Sequence, residues 1–164
     1  MASFIVNSTN SQNFNLTFES QKIGELIYKK WFLFNAEIDI SKDKKYTLEP
    51  KGFWDSKIEL KDENKLLLEF KMGWKGILIK TFFNDNEEEF LLKLNSLLSN
   101  KFVLLDVKNT ELLVVDTNLK WKSLTYDYTI ETASTFDSFE NKELLLLTII
   151  HCVNYYIHSI AIGA

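Results

Sequence analysis

From Glu143 to Ala164 the chain reads ELLLLTIIHCVNYYIHSIAIGA, and a helix built from this segment carries apolar side chains on nearly every face. A helix that is apolar all round has to be buried, either in protein or in lipid. The remainder of the chain reads as short strands, so the placement of this one helix decides the architecture. Taken from Phe139 to Ile162 the helix is about 36 Å long at 1.5 Å per residue. Asp137 with Glu140 three residues later matches a capping box at its start.

The strands announce themselves by alternation. Phe34, Ala36, Ile38 and Ile40 fall on one side of 33–40, with Asn35, Glu37 and Asp39 on the other. Trp54, Ile58 and Leu60 alternate with Asp55, Lys57, Glu59 and Lys61, and Leu66, Leu68, Phe70 and Met72 alternate with Lys65, Glu69 and Lys71. A period of two with one wet face is the signature of antiparallel sheet. Further strands are expected at 13–18, 24–30, 77–83, 87–94, 101–107, 111–116 and 125–132, although Phe90, Leu91, Leu94, Leu97 and Leu98 also fit a helix across 87–99. Turns are expected at Ser41–Lys45, Lys61–Asn64, Gly73–Gly76, Asn84–Asn86, Ser99–Asn100, Lys108–Thr110 and Asp116–Asn118, where residues that tolerate turn geometry cluster. The sum is roughly ten to twelve strands. No Pro- or Gly-rich linker divides them, so residues 1–164 read as a single domain.

Two placements of the helix follow. As a tail anchor, Leu144–Ile162 is long enough to span a bilayer. That would put Thr148, His151, Asn154, His158 and Ser159 in hydrocarbon, where polar groups are expensive. It would also leave Tyr155 and Tyr156 in mid-segment rather than at an interface. As a plug, the helix fills the interior of a sheet that must close because ten or more one-sided strands leave no other way to hide their edges. Thr148, His151, Tyr155 and His158 then form a polar stripe facing barrel groups or one open end. The expected fold is therefore mainly β: a closed antiparallel barrel of about 12 strands around a central C-terminal helix at about 139–162.

Many short antiparallel strands followed by one hydrophobic helix, Leu144–Ile162, resemble the tubby C-terminal-like fold, which includes tubby, the LURP-one-related proteins and the phospholipid scramblases. The resemblance covers about Asn13 to Ile162 and rests on layout. It implies a twelve-stranded barrel around the last helix and a mostly non-enzymatic domain working at membranes; tubby itself binds phosphoinositides through a basic cluster that includes Arg.

This chain has no arginine: its 19 basic residues are all Lys, against 23 Asp and Glu, for a net charge of −4. Without the planar guanidinium fork and with a negative total, a nucleic-acid partner is excluded. Lysine still binds phosphate as a point charge. The N-terminus MASFIVNSTNSQ lacks the basic start and long apolar run of a secretory signal, which makes the expected location cytoplasmic, peripheral to a membrane.

Motifs of catalysis and metal binding are weak. His151 and His158 lie seven apart on the helix, too far along the axis to share one ion. His151, Cys152 and Asn154 carry the letters of a cysteine-protease triad but sit side by side on one helix, pointing apart. The run Glu87–Glu89 lacks the alternating ligands and Gly of a calcium loop. No catalytic residue, metal or cofactor is expected. Two basic turns carry the remaining signal. Lys71-Met72-Gly73-Trp74-Lys75-Gly76 places a Trp between Lys residues, and Lys42, Lys44 and Lys45 form the second. Lys42, Lys44, Lys45, Lys71, Trp74 and Lys75 are thus the candidate contacts to anionic phospholipid. The alternatives are a soluble protein-interaction module with a protein partner and a tail-anchored protein.

Overall fold

In a computed structural model the chain is described over residues 1–30, 34–41, 44–52, 57–96 and 98–163, with side chains at all of these except 30, 41 and 161–163. Twelve strands run in order: β1 (Ala2–Ser8), β2 (Asn13–Phe18), β3 (Gln21–Lys30), β4 (Asn35–Ser41), β5 (Lys44–Lys51), β6 (Lys57–Asp62), β7 (Lys65–Gly73), β8 (Gly76–Thr81), β9 (Glu88–Leu94), β10 (Lys101–Asp106), β11 (Glu111–Lys120) and β12 (Thr125–Thr132). Each pairs antiparallel with its sequence neighbours, and β1 pairs with β12 to close the barrel. Two helices follow, the short α1 (Ser134–Asp137) and α2 (Lys142–Gly163).

The barrel is built around α2. Every residue from Leu144 to Asn154 is buried, which is three full turns with no solvent-facing side. Strands from around the barrel reach it: Phe70 of β7 packs on His151 and Tyr155, Phe102 of β10 packs on Tyr156, and Tyr128 of β12 hydrogen-bonds Asn154. On β3, a Cβ added to Gly24 would lie 2.7 Å from Leu147 Cδ1, so the glycine is what lets the helix approach that strand. Each large side chain buried here contributes about 1.5–3 kcal/mol. The helix is long and apolar enough to cross a membrane by length and composition, yet its N-terminal half is the core of the sheet.

The observed inward residues follow the alternation. Ala36, Ile38, Ile58, Leu60, Leu68 and Phe70 are all buried. Residues 88–94 form a strand and not a helix, because both neighbours offer ladders: Phe90 pairs with Ile79 and with Asp106. A register shift after Leu60 leaves Leu67 without a partner on β6, and Leu67 packs on the core where simple alternation assigns Leu66.

Four expectations need correction. Two strands, β1 and β5, come from segments that alternation passed over. β1 is terminal, and β5 begins with two lysines and contains Pro50. That proline lies beyond Leu48, where the ladder to β4 has ended and β5 is paired on the β6 side alone. The turn expected at Asp116–Asn118 is strand: β11 continues to Lys120, paired with Thr125, and Thr117 is tied through its N–H and hydroxyl to Asn100 O. The helix begins at Lys142, three residues later than expected, and no capping box forms. Asp137 instead accepts from Thr132 Oγ1 at 2.5 Å and pairs with the N-terminal ammonium at 3.3 Å, while Glu140 accepts from Asn84. Trp54 and its neighbours Phe53 and Asp55 lie outside the described residues.

Candidate functional site at the aromatic end of the barrel

An up-and-down barrel sorts its connections alternately to two ends. Those after β1, β7, β9 and β11 share the end at which α2 emerges. Those after β2, β6, β8 and β10, with α1, share the end at which α2 begins. The two groups differ in chemistry. Among the described residues, the connections of the first end contain no Asp or Glu. They present Trp74, which is 92% exposed, Leu98, which is fully exposed, Trp121 at 79% and Leu124 at 72%. Ile160, near the end of α2, is exposed beside them. Among the described residues, the connections of the other end hold Glu19, Glu63, Asp85, Glu87, Asp137 and Glu140 against a single lysine, Lys108.

Local geometry explains how Trp74 comes to stand out. Gly73 pairs with Gly76, leaving Trp74 and Lys75 at the tip of a two-residue turn. Gly76 has φ of 142°, and a Cβ there would sit 2.4 Å from Leu92 O, so only glycine fits. Lys75 lies over the Trp74 ring at 5.0 Å from its centroid. Lys71 and Lys75 are exposed and, among the described residues, have no carboxylate within ion-pair distance; the same holds for Lys122 beside Trp121.

The sequence candidates therefore divide. Lys71, Trp74 and Lys75 sit together at the aromatic end. Lys44 and Lys45 open β5 at the opposite end, where Lys44 pairs with Asp62 at 3.2 Å and lies over Tyr46. Lys42 lies outside the described residues. Strands of this length separate the two ends by about 20 Å, so one flat surface cannot touch both sets. Trp121, Lys122, Leu124 and Leu98 were missed. The signal that could have found them is the repeated Trp-Lys pair, hidden because the turn was placed at Asp116–Asn118 rather than at 121–124.

Inside the barrel, α2 carries a buried polar cluster. The Tyr28 hydroxyl meets His151 Nδ1 at 2.6 Å, Asn154 Nδ2 donates to the Tyr28 oxygen at 3.1 Å, and Tyr128 donates to Asn154 Oδ1. Which of the two atoms, the Tyr28 oxygen or His151 Nδ1, donates depends on the imidazole tautomer, and the other ring nitrogen is Nε2. That nitrogen has no hydrogen-bond partner among the described residues and lies among Phe34 and Phe70, whose centroids are 6.0 and 5.7 Å from the imidazole's. Burial pulls the His151 pKa down to about 3, and burial pushes the phenols of Tyr28 and Tyr128 and the Cys152 thiol well up. A neutral His that faces Tyr28, beside a protonated and enclosed thiol, is no nucleophile–base pair. The cluster instead fixes the rotation and depth of α2. The polar stripe expected along the helix is present in part: His151 is in it, Thr148 bonds back to Leu144 O within the helix, and Asn154 supplies the second contact.

A cavity of about 880 Å³ opens at the acidic end between Phe83, Phe139, Leu112 and the acids Glu87, Asp106 and Glu140. Those acids are engaged. Glu87 pairs with Lys80, and Glu140 accepts from Asn84. Asp106 is held below the usual carboxylate range by the N–H groups of Thr110 and Lys108. No acid–base pair is built there. Among the described residues no group of three or more His, Cys, Asp or Glu is placed to hold a metal ion. Compared with known proteins, the chain matches no protein-family model, no curated protein and no solved structure.

Proposed function

We propose that this chain is a non-enzymatic, tubby/scramblase-like barrel module, cytoplasmic and peripheral to the membrane, that associates with anionic phospholipid. The architecture, twelve antiparallel strands closed around a C-terminal helix, supports the kinship. The observation that carries the lipid reading is Trp74. An indole that is 92% exposed at a turn tip, flanked by Lys71 and Lys75, which have no carboxylate within ion-pair distance among the described residues, has the amphipathic character of residues found at lipid headgroups. Each nearby lysine adds about 1 kcal/mol of attraction to an anionic leaflet, screened by salt. The test is flotation with vesicles of phosphatidylcholine alone or mixed with phosphatidylserine. Binding to the mixed vesicles at low salt, weakened by added salt, is expected; no binding to any anionic vesicle overturns the reading.

The groove at the acidic end favours a second reading, a protein-interaction module, because Val107 stands 73% exposed at its rim above Phe83 and Phe139. Salt-sensitive capture of a basic protein partner together with indifference to vesicles would favour that reading over the first.

A further inference from the structure

We infer that the barrel docks end-on, with α2 pointing its C-terminus toward the membrane and the acidic end facing away. This rests on the lipid reading above and adds to it an orientation and a second contact turn. The pair Trp74-Lys75 at the tip of β7–β8 recurs as Trp121-Lys122 in the connection of β11–β12, a third of the way round the barrel in strand order. Both indoles are exposed, and both turns belong to the same end. Leu98 and Leu124 stand out from that end as well, and Ile160 adds the last exposed apolar side chain of α2.

The pattern favours a lipid surface over a protein. These side chains sit on separate turn tips rather than in one groove or flat patch. A protein partner would need a matching pocket for each tip, whereas a fluid headgroup layer accepts them independently. Charge agrees. The chain is net negative, yet the described connections of this end carry Lys75 and Lys122 with no carboxylate, and the carboxylates of the described turns lie at the other end. Close to an anionic leaflet such a charge axis turns the lysine end inward and the acidic end outward. Lys44 and Lys45 then face solvent and make no contact.

The orientation is read with an environment-sensitive fluorophore attached at one introduced cysteine at a time: Leu98→Cys and Leu124→Cys at the aromatic end, Asn64→Cys and Lys108→Cys at the acidic end. The native thiol, Cys152, is fully buried and stays unlabelled. All four sites are exposed, so each variant keeps the wild-type circular dichroism. With phosphatidylserine-containing vesicles, the labels at 98 and 124 move to shorter wavelength and those at 64 and 108 do not. Replacing Trp74 and Trp121 together by Ala lowers partitioning about tenfold or more, and replacing Lys44 and Lys45 by Ala leaves it unchanged. A protein that floats while the labels at 64 or 108 respond, or while none responds, overturns the end-on orientation and leaves lipid association standing. Failure to float removes both.

Discussion

The two ends of this barrel are closed by different means. At the acidic end α2 begins under a cap: Phe136 is fully buried, Phe139 packs on Phe90 and on Phe136, and Asp137 ties the cap to Thr132 and to the chain's first residue. At the aromatic end α2 is half-buried from Tyr155 to Ser159 and exposed at Ile160, and the turns around it show apolar side chains to solvent. One end uses its large apolar groups for stability. The other leaves them unused by the fold, and a feature that stability does not require is where a surface function is most economically sought.

That contrast can be broken by substitution. Phe136→Ala, under the cap at the acidic end, is expected to cost about 3–5 kcal/mol in denaturant unfolding. Ile160→Ala, at the open end, stays within about 0.5 kcal/mol. Equal losses would mean that both ends are structural. Between the ends, Tyr128→Phe leaves Asn154 Oδ1 buried without its donor and costs about 1–3 kcal/mol in the same unfolding measurement.

The pH dependence sharpens the same division. His151 is neutral in the folded protein, with its pKa depressed to about 3, so below the unfolded value of 6.5 the unfolded chain binds the extra proton. His151 therefore contributes stability in full above that value, and it is lost as pH falls toward 3, at about 1.4 kcal/mol per pH unit. Unfolding curves for wild type and His151→Leu across this window should diverge in slope; parallel slopes would contradict the buried, neutral imidazole. The smallest effect belongs to the turn tip: Trp74→Ala changes unfolding free energy by no more than about 0.5 kcal/mol while weakening vesicle binding.

Much of this architecture was legible in the residues. Period-two runs such as Ile58/Leu60 against Lys57/Glu59 fit a one-sided sheet, and a helix apolar on all faces had to be either an interior or a bilayer span. What escaped was set by partners far along the chain. β1 closes the barrel by pairing Ala2 with Thr132, a contact with no local pattern to announce it. Asp116–Asn118 has turn composition, yet two flanking ladders hold it in strand, because tertiary pairing outweighs local preference. The same displacement hid Trp121 and Lys122, so the candidate surface was read as two lysine turns. The fold puts those turns at opposite ends and sets a second Trp-Lys turn at the end of the first. The tyrosine partners of α2 were invisible for a similar reason: Tyr28 and Tyr128 read as ordinary strand residues until the helix brings His151 and Asn154 to their hydroxyls.

The central claim is that α2 is the interior around which the strands close. Native-state hydrogen exchange of the intact chain tests it directly. If the claim holds, amides from Leu146 to Asn154 exchange only through global unfolding, with the same free energy as the best-protected residues of β7 and β12. If those helix amides exchange rapidly while the strands remain protected, the helix is not the core and the account fails.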